Sequence, residues 1–411
     1  MWWHGVPDER RYFLRQVEGH TRAFALVAPP VPDYVPPTPE VQRALIDAHE
    51  ALGALRGVAA HFPGLAAIDT VLAQREAVAS SQIKGARSTL RDLLTYEATG
   101  GAQGLPADVE GAKRCAEVLT HGLGAAAQTR QDGEWLRLIN RLHAVLMGGD
   151  QGMSAGAYRR HQVWIGQGGG IEQATFVPAP PEWVAPCMAE LERRTLKNGP
   201  GQHAALPLVA QLAFAHGQFQ TIRPFHDGNG RVGRMLLSLL PVAHGYPPLY
   251  LSSDLRAAKA EYYSALACLQ VRGDWAPWLV LLCEAIVRAC EDTISVATDL
   301  NALVSKWEAE LSGRQYRSDS ATARLPRLLV GRPIVSVRQV AENLSISKQA
   351  ANVALGNLVD AGILSRGAPQ GQRQVFQASD AVQRLERPSD SARLFRSEAP
   401  RDSASEATPQ P

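Results

Sequence analysis

Apolar residues recur at three- and four-residue steps over residues 41–96, 136–147 and 204–219. This spacing lines one side of a helix, so the chain is predicted to be mainly α. The period breaks over residues 222–229, where a proline and a glycine intervene. It resumes from about Gly230 through the apolar run 235–242, which predicts a helix-loop-helix. Two β-prone runs, Gln162-Val163-Trp164-Ile165 and Gln173-Ala174-Thr175-Phe176-Val177, flank the glycine-rich stretch 166–170 and predict a β-hairpin. Residues 29–40 are too proline-rich for helix or central strand and are expected to lie extended on the surface.

A second pattern follows a polar stretch at 314–327. Residues 335–344 and 348–361 read as two short helices joined by Ser345-Ile346-Ser347, followed by a Gly/Gln-rich turn into Gln374-Val375-Phe376. That order predicts a winged helix-turn-helix. The expected organisation is an N-terminal helical region over 1–110, a core over 111–300, a linker over 301–325, the winged unit over 326–388 and a disordered tail over 389–411. The tail carries almost no large apolar side chains.

At 411 residues, 45% hydrophobic and 20% charged, the chain suits two or three globular domains, and its net charge of +2 selects no partner. The five cysteines include no CxxC pair, which argues against a disulfide framework and a zinc site and for a reducing, cytoplasmic home. No apolar run reaches the length of a membrane span, so no membrane partner is expected.

The densest chemistry lies in Ile222-Arg223-Pro224-Phe225-His226-Asp227-Gly228-Asn229-Gly230-Arg231-Val232-Gly233-Arg234. Glycines let backbone N–H groups crowd a phosphate, and a helix start adds a favourable dipole. Arg231 and Arg234 are three apart and share one helical face, from which forked guanidiniums grip outer phosphates. Asp227 offers a hard oxygen to Mg²⁺. Gly228-x-Gly230-x-x-Gly233 also satisfies the dinucleotide fingerprint, but that motif needs a buried strand before it, and residues 214–222 read as helix. A surface ion-pair network is the plain alternative for the two arginines.

This run resembles the signature of the Fic (filamentation induced by cAMP) family, whose members mostly transfer AMP from ATP to a hydroxyl on a target protein. The resemblance covers roughly residues 30–385. It implies a Fic helical core with a β-hairpin flap, and ATP and Mg²⁺ as cofactors. Asp227 would hold the metal, Asn229 and the amides of Gly228 and Gly230 the α-phosphate, and Arg231 and Arg234 the outer phosphates. The segment Ala157-Tyr158-Arg159…Gln162-Val163-Trp164-Ile165-Gly166 resembles the family's flap, which pairs with the target's backbone.

Two positions depart from the family. The family places its general base, a histidine, immediately before Pro-Phe, where this chain has Arg223. Arginine stays protonated and cannot accept a proton from a hydroxyl. The family's inhibitory helix reads Ser-x-x-x-Glu-Gly, and its glutamate pairs with the second arginine. This chain reads Ser80-Ser81-Gln82-Ile83-Lys84-Gly85, so docking of that helix is expected to set the Lys84 ammonium against Arg234 as a repulsion of like charges. Gln220 stands where the family usually has Glu, and Ala258 where it has Asn upstream of paired tyrosines.

Among other candidates, His226 is the better substitute base because it lies in the loop. His216 reads as a hydrogen-bonded packing residue, His161 as solvent-facing, and Trp275 and Trp278 as core or pocket-wall anchors. Between residues 314 and 387 eleven basic residues stand against five acids, an excess that suits phosphate contacts, yet the recognition helix over 348–353 carries only Lys348. Gln349 and Asn352 could read base edges, and DNA binding and protein docking stay equally open.

The first reading is therefore a cytoplasmic Fic-type adenylyltransferase scaffold with transfer weak or lost. Its partners would be a protein substrate reached through the flap, or the chain itself. The alternative is a nucleotide-sensing regulator acting through the winged helix on DNA or a protein. A third keeps the enzyme but uses Arg223 to bind a phosphate-bearing substrate. The oligomer is open, a homodimer included.

Overall fold

The computed structural model describes residues 1–61, 64–101, 103–148, 155–166, 168, 170–197, 206–314, 316–317, 319–367 and 374–387. The expected tail over 389–411 lies outside the described residues, as do parts of the glycine-rich stretch and of the wing turn.

The chain begins with a one-turn helix α1 (Asp8–Arg11) and two strands, β1 (Leu14–Gln16) and β2 (Phe24–Leu26), antiparallel with Leu14 opposite Leu26. This small sheet, inside a region expected to be helical, had no turn or alternation signal long enough to announce it. Helices α2 (Pro39–His61), α3 (Gly64–Ile83), α4 (Leu90–Thr99), α5 (Val109–Asp132) and α6 (Trp135–Met147) follow. Next come α7 (Pro181–Leu191), α8 (Leu208–Ile222), α9 (Asn229–Ala243), α10 (Ser252–Ala257), α11 (Lys259–Arg272) and the long α12 (Ala276–Ser312).

Helix α8 is buried on every side from Val209 to Ile222, so it forms the centre around which the others pack. Trp278 of α12 is fully buried and donates its indole N–H to the Ala213 carbonyl at 2.9 Å, while Trp275 meets Phe214 edge-to-face at 4.9 Å. Both tryptophans are core anchors, as the sequence suggested. Helix α9 lies against α8 where Gly233 lets the backbones close: a Cβ there would stand 2.3 Å from the Gln220 side-chain nitrogen.

The C-terminal unit comprises α13 (Ala321–Gly331), β3 (Ile334–Ser336), α14 (Val337–Leu344), α15 (Lys348–Asp360), β4 (Ser365–Arg366), β5 (Val375–Gln377) and α16 (Ser379–Glu386). Its strands form one sheet in the order β3-β5-β4, both pairs antiparallel. Ser336 and Ser347 cap α14 and α15 through their side chains, which fixes the sharp turn between them. The linker expected over 301–325 is largely absent, because α12 runs through Ser312 with Val304, Trp307 and Leu311 buried.

One hydrophobic cluster runs from Val27 to Leu385 and so includes the C-terminal unit. Polar contacts reinforce that seam. Arg91 of α4 donates to Gln377 at 2.9 Å and pairs with Glu386 at 3.0 Å, and Gln339 donates to the Glu97 carbonyl at 3.1 Å. Among the described residues no helix is long and apolar enough to cross a membrane, and all five cysteines are free.

Candidate functional site

The loop between α8 and α9 is shaped by its own sequence. Pro224 prevents α8 from continuing, and Arg223 takes up a left-handed conformation (φ 46°) at the helix end, where glycine is usual. That conformation costs about 1 kcal/mol or more for an L residue and persists only where neighbours over-determine it. Here the buried Arg159 does so. Its Nε donates to the Arg223 carbonyl at 2.9 Å, its Nη2 donates to the Ala179 carbonyl, and its own amide donates to the Pro224 carbonyl at 2.9 Å. Burial, with the charge of Arg223 beside it, lowers the Arg159 pKa to about 10.

The other end is fixed by His143. The Gly156 amide donates to its Nδ1 at 2.9 Å, so the proton resides on Nε2, which donates to the Asp227 carbonyl at 3.1 Å. The ring stacks on Phe225 at 3.7 Å, and a Cβ on Gly228 (φ 78°) would press into it. Asn229 completes the loop by accepting from the Phe225 amide at 2.9 Å and donating to the Phe225 carbonyl at 2.7 Å. The Asn229 side chain is thus committed to the loop itself. These bonds leave the Asn229 side chain little capacity for the phosphate contact expected of it, whereas the first N–H groups of a helix such as α9 have no intrahelical acceptor.

Over this helix start opens a cavity of about 690 Å³. Among the expected site residues Lys84, Ile165, Arg223, Asp227, Gly228, Gly230, Arg231 and Arg234 line it, joined by Gln220, Tyr262 and Tyr263. His226 is exposed and lies outside the lining, so its position does not favour it as a substitute base. His216 is fully buried: its Nδ1 donates to the Gly233 carbonyl at 2.9 Å and its Nε2 accepts from the Tyr262 hydroxyl at 2.9 Å. Burial lowers its pKa to about 3, so it is a neutral packing group that orients Tyr262. No histidine lines the cavity among the described residues.

Arg223 lines this space, and its side chain makes no hydrogen bond or ion pair among the described residues. Burial lowers its pKa, and the nearby Asp227, Tyr262 and Tyr263 oppose that. Arg231 touches the Met147 sulfur at 3.5 Å and keeps a buried Nε without a partner. Arg234 is buried and held by α3, its Nε donating to Ser80 Oγ at 2.9 Å and its Nη2 to the Ser80 carbonyl at 2.8 Å.

The clash expected between Lys84 and Arg234 does not occur. Ser80, one helical turn earlier, occupies the guanidinium. Lys84 lies past the end of α3, in the turn completed by Gly85 (φ 110°), and its ammonium grips both carboxylate oxygens of Asp227, one at 2.5 Å. Burial would raise the Asp227 pKa, but the Lys84 hydrogen bond, the Gly228 amide and the charges of Lys84 and Arg231 bring it below the usual carboxylate value. A further carboxyl lies behind Arg234. Glu76 of α3, fully buried, accepts from the Ser252 amide at 2.8 Å and from its hydroxyl, and burial lifts its pKa to about 7 against the opposing pull of Ser252, Arg234 and Arg75.

The expected metal site does not fit. Asp227 is the only carboxylate among the described residues lining the cavity, and an ammonium already occupies its oxygens. A Mg²⁺ bound there would meet that like charge at close range. No group of three or more His, Cys, Asp or Glu suited to a metal occurs among the described residues.

Of the expected flap hairpin the described residues show one antiparallel bridge, Ile165 with Phe176, in which the Ile165 amide donates to the Phe176 carbonyl at 2.8 Å and the Phe176 amide to the Ile165 carbonyl at 3.3 Å. Residues 171–173 form a single 3₁₀ turn, and the Leu26 amide claims the Val177 carbonyl at 2.9 Å, tying the segment to β2. Gln162 spends its amide on the carbonyls of Val163 and Pro178, and Trp164 is exposed. Neither Gln162, Val163 nor Trp164 lines the cavity; Ile165 alone of that run does.

The Fic/DOC family matches residues 135–240 and the Fic/DOC N-terminal family residues 42–124. The chain thus carries a Fic/DOC domain over residues 135–240, with the family's N-terminal region over 42–124 preceding it. It is 31% identical over 146 residues to the protein adenylyltransferase fic-1 of Caenorhabditis briggsae, covering 34% of this chain and 25% of that one. Against the protein adenylyltransferase Fic of Drosophila persimilis the identity is 29% over 162 residues, 39% of this chain and 29% of the other. The match thus spans between a quarter and a third of these relatives. A Fic family protein from Desulfovibrio desulfuricans G20 shares the fold, with a TM-score of 0.51 at 20% identity over 84% of this chain and 98% of that one.

Proposed function

We propose that the cavity binds ATP, and that the chain is a Fic-type scaffold for AMP transfer to a protein Tyr, Thr or Ser hydroxyl in which transfer is weak. The single observation that carries this is the placement of Arg223. Its side chain has no hydrogen-bond or ion-pair partner among the described residues, and Arg223 lines the same cavity as Arg231, Arg234 and Gly228 and Gly230 at the start of α9. Three arginines and a helix N-terminus suit a triphosphate. The transfer reaction also needs a group that takes the proton of the attacking hydroxyl. Arg223 cannot take it, and Asp227 is held ionised by Lys84 and is therefore a weak base. The wild-type chain incubated with α-labelled ATP should retain nucleotide while leaving protein unlabelled. Strong labelling by the unaltered chain would overturn this account of Arg223.

A second reading, a nucleotide-sensing regulator, is favoured by the seam between site and C-terminal unit. The helix that holds Arg234 through Ser80 also sends Arg75 to Asp292 of α12, and Asp292 lies 3.9 Å from Arg384 of α16. On the exposed side of α15 stand Lys348, Gln349, Asn352 and Val353, a surface for DNA or a protein. Such coupling typically changes affinity about 5- to 150-fold. DNA or partner affinity of the full chain should therefore shift in that range on adding ATP, and an unchanged affinity eliminates the regulator.

A further inference from the structure

The geometry points to a site that takes its nucleoside triphosphate without a divalent ion, with the Lys84 ammonium, anchored on Asp227, serving as the fixed counter-cation of the phosphates. The inference rests on the ATP-binding reading of the cavity. In most such sites a carboxylate holds the ion that neutralises phosphate oxygens. Here the carboxylate is already neutralised by a side chain of the same chain, which contacts both of its oxygens.

The charge balance of the cavity points the same way. Lys84, Arg223, Arg231 and Arg234 line it against the single carboxylate of Asp227. A metal-free triphosphate, carrying its full negative charge, offsets that excess. A divalent ion would add charge to a space already positive and would first have to displace Lys84. Lysine suits the task because its ammonium has three donors on a flexible stem; two suffice for Asp227 and the third is free for a phosphate oxygen. Its side chain is 59% exposed, so it can adjust to an incoming nucleotide without breaking the core.

Calorimetric titration of the full chain with ATP, in EDTA and in excess Mg²⁺, tests this. Wild-type Kd should agree between the two buffers within about fivefold, and Lys84→Arg, which keeps the charge, should behave alike. Lys84→Ala should lose about tenfold or more in EDTA and recover in Mg²⁺, because Asp227 is then free to take the ion. A wild-type dependence on Mg²⁺ larger than about fivefold overturns the inference and leaves the ATP site standing. Lys84→Ala binding as tightly as wild type in EDTA also overturns it. Absence of ATP binding in both buffers removes the inference and the ATP-binding reading together.

Discussion

Arg223→His should raise AMP labelling of protein by about 10²- to 10⁴-fold over wild type, the range a positioned general base supplies. The backbone is ready for the substitution. Histidine is among the residues that accept a left-handed conformation more readily, and the φ of 46° is enforced by Pro224 and Arg159 rather than by the arginine side chain. An imidazole there would face the same cavity as Arg231 and Arg234, with its proton-accepting range near neutral pH. Among the described residues no other histidine lines the cavity: His226 is exposed outside the lining and His216 is committed to Gly233 and Tyr262. The change also removes a cation from the path of the incoming hydroxyl. Equal, weak labelling of variant and wild type would show that proton removal is not what the chain lacks.

Arg234→Ala should both empty the site and loosen the fold. The guanidinium is buried, holds the hydroxyl and carbonyl of Ser80, and sits in the field of Glu76. Its loss leaves the Ser80 acceptors without their donor and the Glu76 carboxyl with Arg75 alone as a nearby opposing charge, a change worth about 1–3 kcal/mol for buried polar groups left unsatisfied. ATP affinity should fall about 100-fold or more, with a lower denaturation midpoint. Arg231→Ala makes the informative contrast. Among the described residues its side chain has the Met147 sulfur as its one hydrogen-bond partner, so ATP affinity should fall about tenfold while stability changes little. An Arg234→Ala protein with wild-type midpoint and wild-type ATP affinity would contradict the assigned grip of α3 on the phosphate arginines.

Much of the helical core was legible because its helices bury one face or all faces, and that leaves a periodic trace. The apolar recurrence over 136–147 became α6 and the run after Gly230 became α9. The loop between α8 and α9 was legible for another reason: glycines, a proline and spaced arginines have few other uses in that order. What the sequence did not show depends on partners distant in the chain. Nothing near Lys84 announces Asp227, 143 residues away, and the expected meeting with Arg234 failed because Ser80 sits one turn closer. His143 and Arg159, which hold the two ends of the loop, read as ordinary residues until their acceptors are in view. The hairpin keeps one bridge among the described residues, since β-propensity says nothing of who claims the carbonyls, and Leu26 claims Val177.

In the proposed reading a guanidinium stands where a proton acceptor belongs, inside a cradle for phosphates. A structure of the wild-type chain with ATP tests it most directly. The triphosphate should lie across the start of α9 between Arg231 and Arg234, with the Arg223 guanidinium inside hydrogen-bond distance of the nucleotide and no acceptor side chain beside the α-phosphorus. ATP bound elsewhere, or Arg223 turned away from it with another side chain in reach of the attacking hydroxyl, would contradict the account.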